Sequence, residues 1–453
     1  MISILKQDLV AFTNDVFSRN KITYLVIGIL YRICLDVYYV TTISPLYSYG
    51  GLPINPNGLK YIISWLLYVL FFLLIPKTEN SLRSFFLNLQ FIVSFAPMTV
   101  YFSLNDQSTL YMLMISFVII IQVFILKSDK NNIRNSMSLN IAYLDKYTSV
   151  FIAFLIPSML IITMVWGGFY GIKAFDLDFL NKIRENANYP TILSYAISWI
   201  TNAIIPFYIA LTLSQKKYII SFILIMIDIL FYMILGQKFI YLSILVLCCV
   251  FVFSKTKRLV LSVYLGFTSL SIVASITYLL ESLSENSKFS ELLSAFFGIR
   301  FLFSPAANKF LYYDFFSNYP KTHFSDGIIG KTLGLTYPYK GSIGQTIYAY
   351  MTGGNLFESN SNTGYLGDSY AQFGLVGLIV IGILLAYTVK FIDIASKGLD
   401  FSFVSSILSV SVIILNDGAF LTTFFTGGIF IIILLLLIYN KQKGNTYYRR
   451  ELY

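Results

Sequence analysis

Histidine occurs once in this chain, at His323, inside a polar stretch, residues 281–366, that also holds Lys288, Arg300, Lys309, Lys321, Lys331 and Lys340. Arginine presents a planar two-pronged donor and lysine a compact charge, and both fit phosphate oxygens. Histidine is the side-chain type that exchanges a proton most easily near neutrality. His323 is therefore a candidate general base, with Asp326, Glu358 and Asp368 as rivals. Arg300 is the first candidate ligand for a diphosphate, and Lys309 and Lys331 are further cations. Lys238, in Leu235-Gly236-Gln237-Lys238 after an apolar run, is another, because the glycine admits a close approach. The plainer alternatives are a solvated loop histidine and basic side chains anchored at a membrane interface.

Other chemistry fits less well. Asp176 and Asp178 form a DxD, the pattern that holds a nucleotide sugar through a metal, but polar loops also produce it by chance. A hydrolytic zinc takes three protein ligands and calcium several oxygens. One histidine and few carboxylates supply neither, so no metal and no cofactor is expected. Cys34, Cys248 and Cys249 all lie in apolar runs, the last two adjacent, and imply no disulfide framework.

The elements that must position these residues are membrane helices. Hydrophobic residues make up 57% of the chain and charged ones 12%, with a mean hydropathy of +0.72, which excludes an ordinary soluble domain. Apolar runs long enough to cross a core of ~30 Å recur at 24–43, 59–76, 85–103, 110–126, 147–166, 191–213, 218–235, 239–253, 259–280, 367–392, 401–416 and 419–438. The expected fold is an all-α polytopic membrane protein of about twelve transmembrane helices, one transmembrane domain over residues 1–453. Residues 1–21 read as an interfacial helix, and the seventh and eighth runs could form a broken pair around Gly236.

With the N-terminus in the cytoplasm, about twenty Lys and Arg fall inside and about eleven outside, most of the latter in the long loop that the positive-inside rule ignores. Both termini are then cytoplasmic, and a small loop at 167–190 and the large loop at 281–366 face the periplasm or cell exterior. The net charge of +10 is explained by this distribution, so no nucleic-acid partner is expected. Within the large loop, apolar stripes predict one surface-lying helix ending near Gly298 and another after Pro305; Gly327 to Gly364 reads as irregular chain, rich enough in aromatics to grip sugar rings. In the spans, Asp228 calls for a buried partner or polar cavity, Arg32 and Asp36 neutralise each other, and Gly374, Gly377 and Gly382 offer small faces for packing.

The run TGYLGDSYAQFGLVG, from Thr363 to Gly377, leads directly into an apolar span and resembles the segment closing the large outer loop of Wzy-type oligosaccharide repeat-unit (O-antigen) polymerases. Leu235 to Lys238 is similar to that family's glycine and basic-residue turn, with lysine where arginine is common. Arg300 with Pro305, Tyr312 and Phe316 resembles its arginine-led helix, and Tyr170 through Arg184 and Glu185 its smaller basic loop. The resemblance covers residues 167–395 and implies an inner-membrane, GT-C-like, metal-independent glycosyltransferase of lipopolysaccharide or capsule biosynthesis. The implied reaction transfers a glycan from undecaprenyl diphosphate to a sugar hydroxyl of the next lipid-linked repeat unit, with a chain-length regulator as a possible partner. It casts Arg300, Lys238, Arg184 and Lys309 as diphosphate ligands and His323, then Asp368, as the base. Other GT-C enzymes usually carry an acidic residue in the first outer loop; residues 44–58 have none, which favours the polymerase and ligase branch. An O-antigen ligase, or a polysaccharide flippase of similar span number, remains as an alternative.

Overall fold

The computed structural model describes residues 19–127, 145–171, 173, 183, 189–237, 239–256, 258–283, 288–327, 330, 332–354 and 360–450. It is 81% helical, without strands among the described residues. In chain order the apolar helices are α1 (Ile22–Gly50), α2 (Gly58–Leu74), α3 (Leu82–Leu104), α4 (Thr109–Lys127), α5 (Phe154–Gly167), α6 (Thr191–Ser214), α7 (Tyr218–Leu235), α8 (Phe239–Ser254) and α9 (Leu259–Ser282). The polar stretch contributes α10 (Ser304–Asn318) and α11 (Ile343–Thr352). The chain ends with α12 (Tyr365–Ala395), α13 (Phe401–Asp417) and α14 (Phe420–Asn440). Eight of these are long and apolar enough to cross a membrane; α2, α5, α8 and α13 are apolar but shorter.

Helix starts follow from side chains that accept the free N–H groups of the first turn. Asn57 Oδ1 accepts from Leu59 N and Lys60 N at 3.1 Å, and Asp400 Oδ1 from Phe403 N at 3.1 Å. Helix α3 is the centre of the bundle, buried along its whole length. Around it α12 packs on α4, α13 on α8 and on α3, and α9 on α1. Small residues allow the closest approaches: a Cβ on Gly382 of α12 would stand 2.5 Å from Val118 Cγ1 of α4.

Four wide π turns, Tyr39–Ile43, Phe91–Phe95, Ile200–Ile204 and Ser294–Phe303, share one cause. Each is followed by one residue and then a proline, Pro45, Pro97, Pro206 and Pro305. Proline has no N–H for the carbonyl four residues back, and its ring crowds that carbonyl; an extra residue in the turn relieves the clash.

The polar stretch differs from the expectation. No helix ends at Gly298: the chain runs from Lys288–Leu293 through the π turn into α10. Gly298 is a packing position, since a Cβ there would meet Tyr38 Oη of α1 at 2.4 Å. Nor does α10 lie on the surface. Phe310 is buried against Tyr101 of α3 and Tyr111 of α4, Tyr313 meets Tyr370 of α12, and Phe315 and Phe316 are buried beneath Tyr339, while Asp314, Ser317 and Asn318 leave one side of its last turns exposed. Gly327 to Gly364, expected to be irregular, contains α11, opened by a reciprocal cap between Ser342 and Gln345. That Ser-x-x-Gln signal was readable in the sequence.

The seventh and eighth runs are two helices, α7 and α8, joined at Gly236, whose φ of 63° closes α7. Arg32 and Asp36 form the expected ion pair, with Arg32 Nη2 donating to Ser64 Oγ at 2.9 Å. Asp228 is fully buried, and among the described residues neither of its oxygens accepts a hydrogen bond, so the partner expected for it is not found there.

Candidate functional site

The first of two polar centres forms around Arg300. The face of its π turn opposite Arg300 is fixed by Gly298 against α1, and Phe296 meets the ring of Tyr241 edge-on at 6.0 Å. Tyr241 in turn stands edge-on to Tyr232 at 4.8 Å, so the turn rests on the α7–α8 hairpin close to Gly236 and Gln237. Arg300 is exposed, lies within electrostatic reach of the Tyr241 hydroxyl, and has no ion pair or hydrogen bond among the described residues. Lys238 follows Gln237 in that same hairpin but lies outside the described residues, as do Arg184, Asp176, Asp178, Lys331 and Glu358.

The second centre lies past the other end of α10. Here α12 breaks at Phe373 and Gly374, and Gly374 takes a φ of 62° that a side chain would strain. Into this kink docks the turn 321–327. Thr322 N donates to Ala371 O at 3.0 Å and His323 N to Gln372 O at 3.3 Å. Gln372, 3% exposed, uses its whole amide: Oε1 accepts from Thr322 Oγ1 and Phe324 N, both at 2.6 Å, while Nε2 donates to Asp368 Oδ1 at 3.3 Å and also serves Asp326. Burial raises the Asp326 carboxyl above the usual range, against the hydrogen bonds from its own backbone and Gln372. The His323 ring is exposed and rests on Phe373, with centroids 5.0 Å apart.

Gln372→Glu keeps the two acceptor contacts but replaces the donor with a third carboxylate beside Asp326 and Asp368. The amides of Thr322 and His323 should then exchange hydrogen about tenfold faster than wild type at neutral pH, with protection regained in acid. Unchanged protection would mean the clamp does not hold this turn.

Lys309 stands between the two centres. It is fully buried, and its ammonium donates to Pro305 O at 3.1 Å, Asn416 O at 3.1 Å and Asn416 Oδ1 at 2.9 Å. All three protons are used, which leaves none for the diphosphate oxygen the sequence reading gave it; in this conformation it ties α10 to α13. Asn416 Nδ2 completes the tie by donating to Val93 O at 3.0 Å and Phe301 O at 2.9 Å. Those are the carbonyls four residues before Pro97 and Pro305, the two that the prolines cannot serve.

Burial brings the Lys309 ammonium from an ordinary 10.5 down to about 7, offset in part by the Asp417 carboxylate. Between those values the unfolded chain binds more protons than the folded one, so stability rises with pH across that window and the gain is lost as pH falls to about 7. The slope can reach about 1.4 kcal/mol per pH unit. Thermal melting from about pH 7 to about pH 10 should show wild type gaining relative to Lys309→Met; parallel curves would refute the assignment.

Arg300 precedes α10 and His323 follows it, so the fifteen residues of that helix, about 22 Å, separate them. A base must reach the hydroxyl it activates within hydrogen-bonding distance, and that hydroxyl attacks the carbon bearing the diphosphate. His323, grouped with Asp368 and Asp326 through Gln372, does not share a reacting atom with Arg300 in this conformation. No family model, curated protein or solved structure matches this chain. Function is therefore argued from these residues. Among the described residues no cluster of His, Cys, Asp or Glu could hold a metal ion.

Sequence reasoning missed Gln372 and Asn416. Gln372 lies in the run Thr363–Gly377, in the first part of α12 just before its break, and its signal is a polar amide one turn past Asp368 on an otherwise apolar face. Asn416 had a weaker signal, a lone amide at the end of an apolar helix.

Proposed function

We propose that this chain is a metal-independent membrane glycosyltransferase that joins undecaprenyl-diphosphate-linked oligosaccharide repeat units into a polysaccharide. In this reading the twelve apolar helices all span the bacterial cytoplasmic membrane in a GT-C-like bundle, both termini are cytoplasmic, and residues 281–366 lie at the outer face. The single observation that carries it is Arg300: an exposed guanidinium without an ion pair or hydrogen bond among the described residues, beside the hairpin tip that leads to Lys238. A guanidinium without a partner among the described residues, beside aromatic rings, is open to an anion that arrives from elsewhere, and a diphosphate offers oxygens for both prongs of the fork.

The reaction would break the bond between the anomeric carbon of the donor and its diphosphate while an acceptor hydroxyl forms the new bond. Arg300, with Lys238, would neutralise the departing charge. The proton of the acceptor would pass to an oxygen of the departing diphosphate, which leaves as undecaprenyl diphosphate on the Arg300 side of α10.

The test is direct. Purified protein incubated with a synthetic undecaprenyl-diphosphate repeat unit should give a ladder of longer products without added metal or nucleotide. Absence of a ladder, together with transfer of finished polymer to a lipid A core, would support the ligase instead. Repeat units stranded on the inner leaflet of a deletion strain would support a flippase.

A further inference from the structure

At the far end of α10 three aromatic rings are locked into a corner. Tyr319 stacks on Phe315 with centroids 4.5 Å apart and planes 21° apart, and Phe315 is buried, so one face of Tyr319 is covered. Its other side is open, leaving Tyr319 48% exposed. Tyr350, from α11, stands upright beside them, edge-on to Phe315 at 71° and to Tyr319 at 74°, and is 40% exposed. Hydrogen bonds fix the surroundings. Tyr350 Oη donates to Asp314 Oδ2 at 2.8 Å, Asn318 Nδ2 donates to Asp314 O at 2.9 Å, and Tyr339 Oη donates to Pro320 O. Asp314 and Asn318 are themselves exposed, one turn apart on α10.

This geometry selects a ligand. An exposed aromatic face carries negative quadrupole density, which suits the weakly positive C–H groups on one side of a pyranose ring. A carboxylate and an amide oxygen at the edge of the same faces accept hydrogen bonds from sugar hydroxyls and repel phosphate. We propose that the corner of Tyr319 and Tyr350, rimmed by Asp314 and Asn318, binds an uncharged sugar segment of the glycan chain. It deepens the function proposed above and rests on it for the identity of the glycan. Placed a helix length from Arg300, the corner holds the chain while the diphosphate end reacts.

The probe is lipid-free polysaccharide released by mild acid from cells that make this protein, presented to the full-length protein in detergent. Saturation-transfer NMR should detect binding to wild type and to Arg300→Ala, and Tyr319→Ala with Tyr350→Ala should weaken the transfer at least fivefold. Tyr319→Phe, which keeps the ring, should bind as wild type. In unmutated protein the polysaccharide should also protect Tyr319 from nitration by tetranitromethane, which covers the case where the alanine variants melt early. Equal transfer in wild type and the double variant, or no protection of Tyr319, overturns the proposal. Quenching of these rings by brominated lipid also overturns it, because it would put them in the bilayer. A wild-type protein that binds the glycan yet makes no ladder would remove the polymerase reading and leave the binding site standing.

Discussion

Arg300→Ala is expected to eliminate the product ladder made from a synthetic undecaprenyl-diphosphate repeat unit. A guanidinium placed at a departing diphosphate supplies stabilisation that grows as charge develops, and losing ~4 kcal/mol of it is about a thousandfold in rate. Arg300→Lys should be intermediate, because the charge survives but the two-pronged geometry does not. Arg300 is exposed and bonded to nothing among the described residues, so the substitution should leave the melting temperature almost unchanged. A full ladder from Arg300→Ala would end the argument built on this residue.

The second large effect is structural. Asn416→Leu removes one of the three acceptors of the buried Lys309, Asn416 Oδ1, together with the Nδ2 group that donates to both Val93 O and Phe301 O; the carbonyls of Asn416 and Pro305 remain. Losing a hydrogen bond to a charged group costs roughly 1.5–3 kcal/mol, and each buried carbonyl left without its donor adds about 1–3 kcal/mol. Thermal or denaturant unfolding in detergent should show a loss of that order. Lys309→Met added to Asn416→Leu should recover part of it, since the ammonium that lost its acceptor is then gone as well. Strictly additive effects of the two substitutions would show that they are not coupled.

Much of the architecture follows from local rules. Apolar runs foretold the helices of the bundle in order, and Gly236 foretold the break between α7 and α8. The prolines at 45, 97, 206 and 305 foretell the four π turns in retrospect, because each removes a donor that the preceding helix needs. The errors lay where burial decides. A stripe of phenylalanines around Pro305 fits a surface-lying helix, yet α10 buries Phe310, Phe315 and Phe316 and exposes Asp314, Ser317 and Asn318 in its last turns. Lys309 looked like one more outward cation, and only packing shows its three protons already taken.

The sequence by itself determined that this is a helical membrane protein, where its helices start and bend, and that its polar stretch gathers cations, a histidine and aromatic rings. These properties are set by hydropathy, caps and proline, which act over a few residues. Only the tertiary structure decided which of those groups meet. It set Arg300 on the α7–α8 hairpin and clamped His323 to Asp368 through Gln372, with the length of α10 between them. It also closed two orphaned carbonyls with one amide, Asn416, more than a hundred residues away from either. Contacts at that separation depend on how helices pack and which buried polar groups need partners, and no local pattern encodes that.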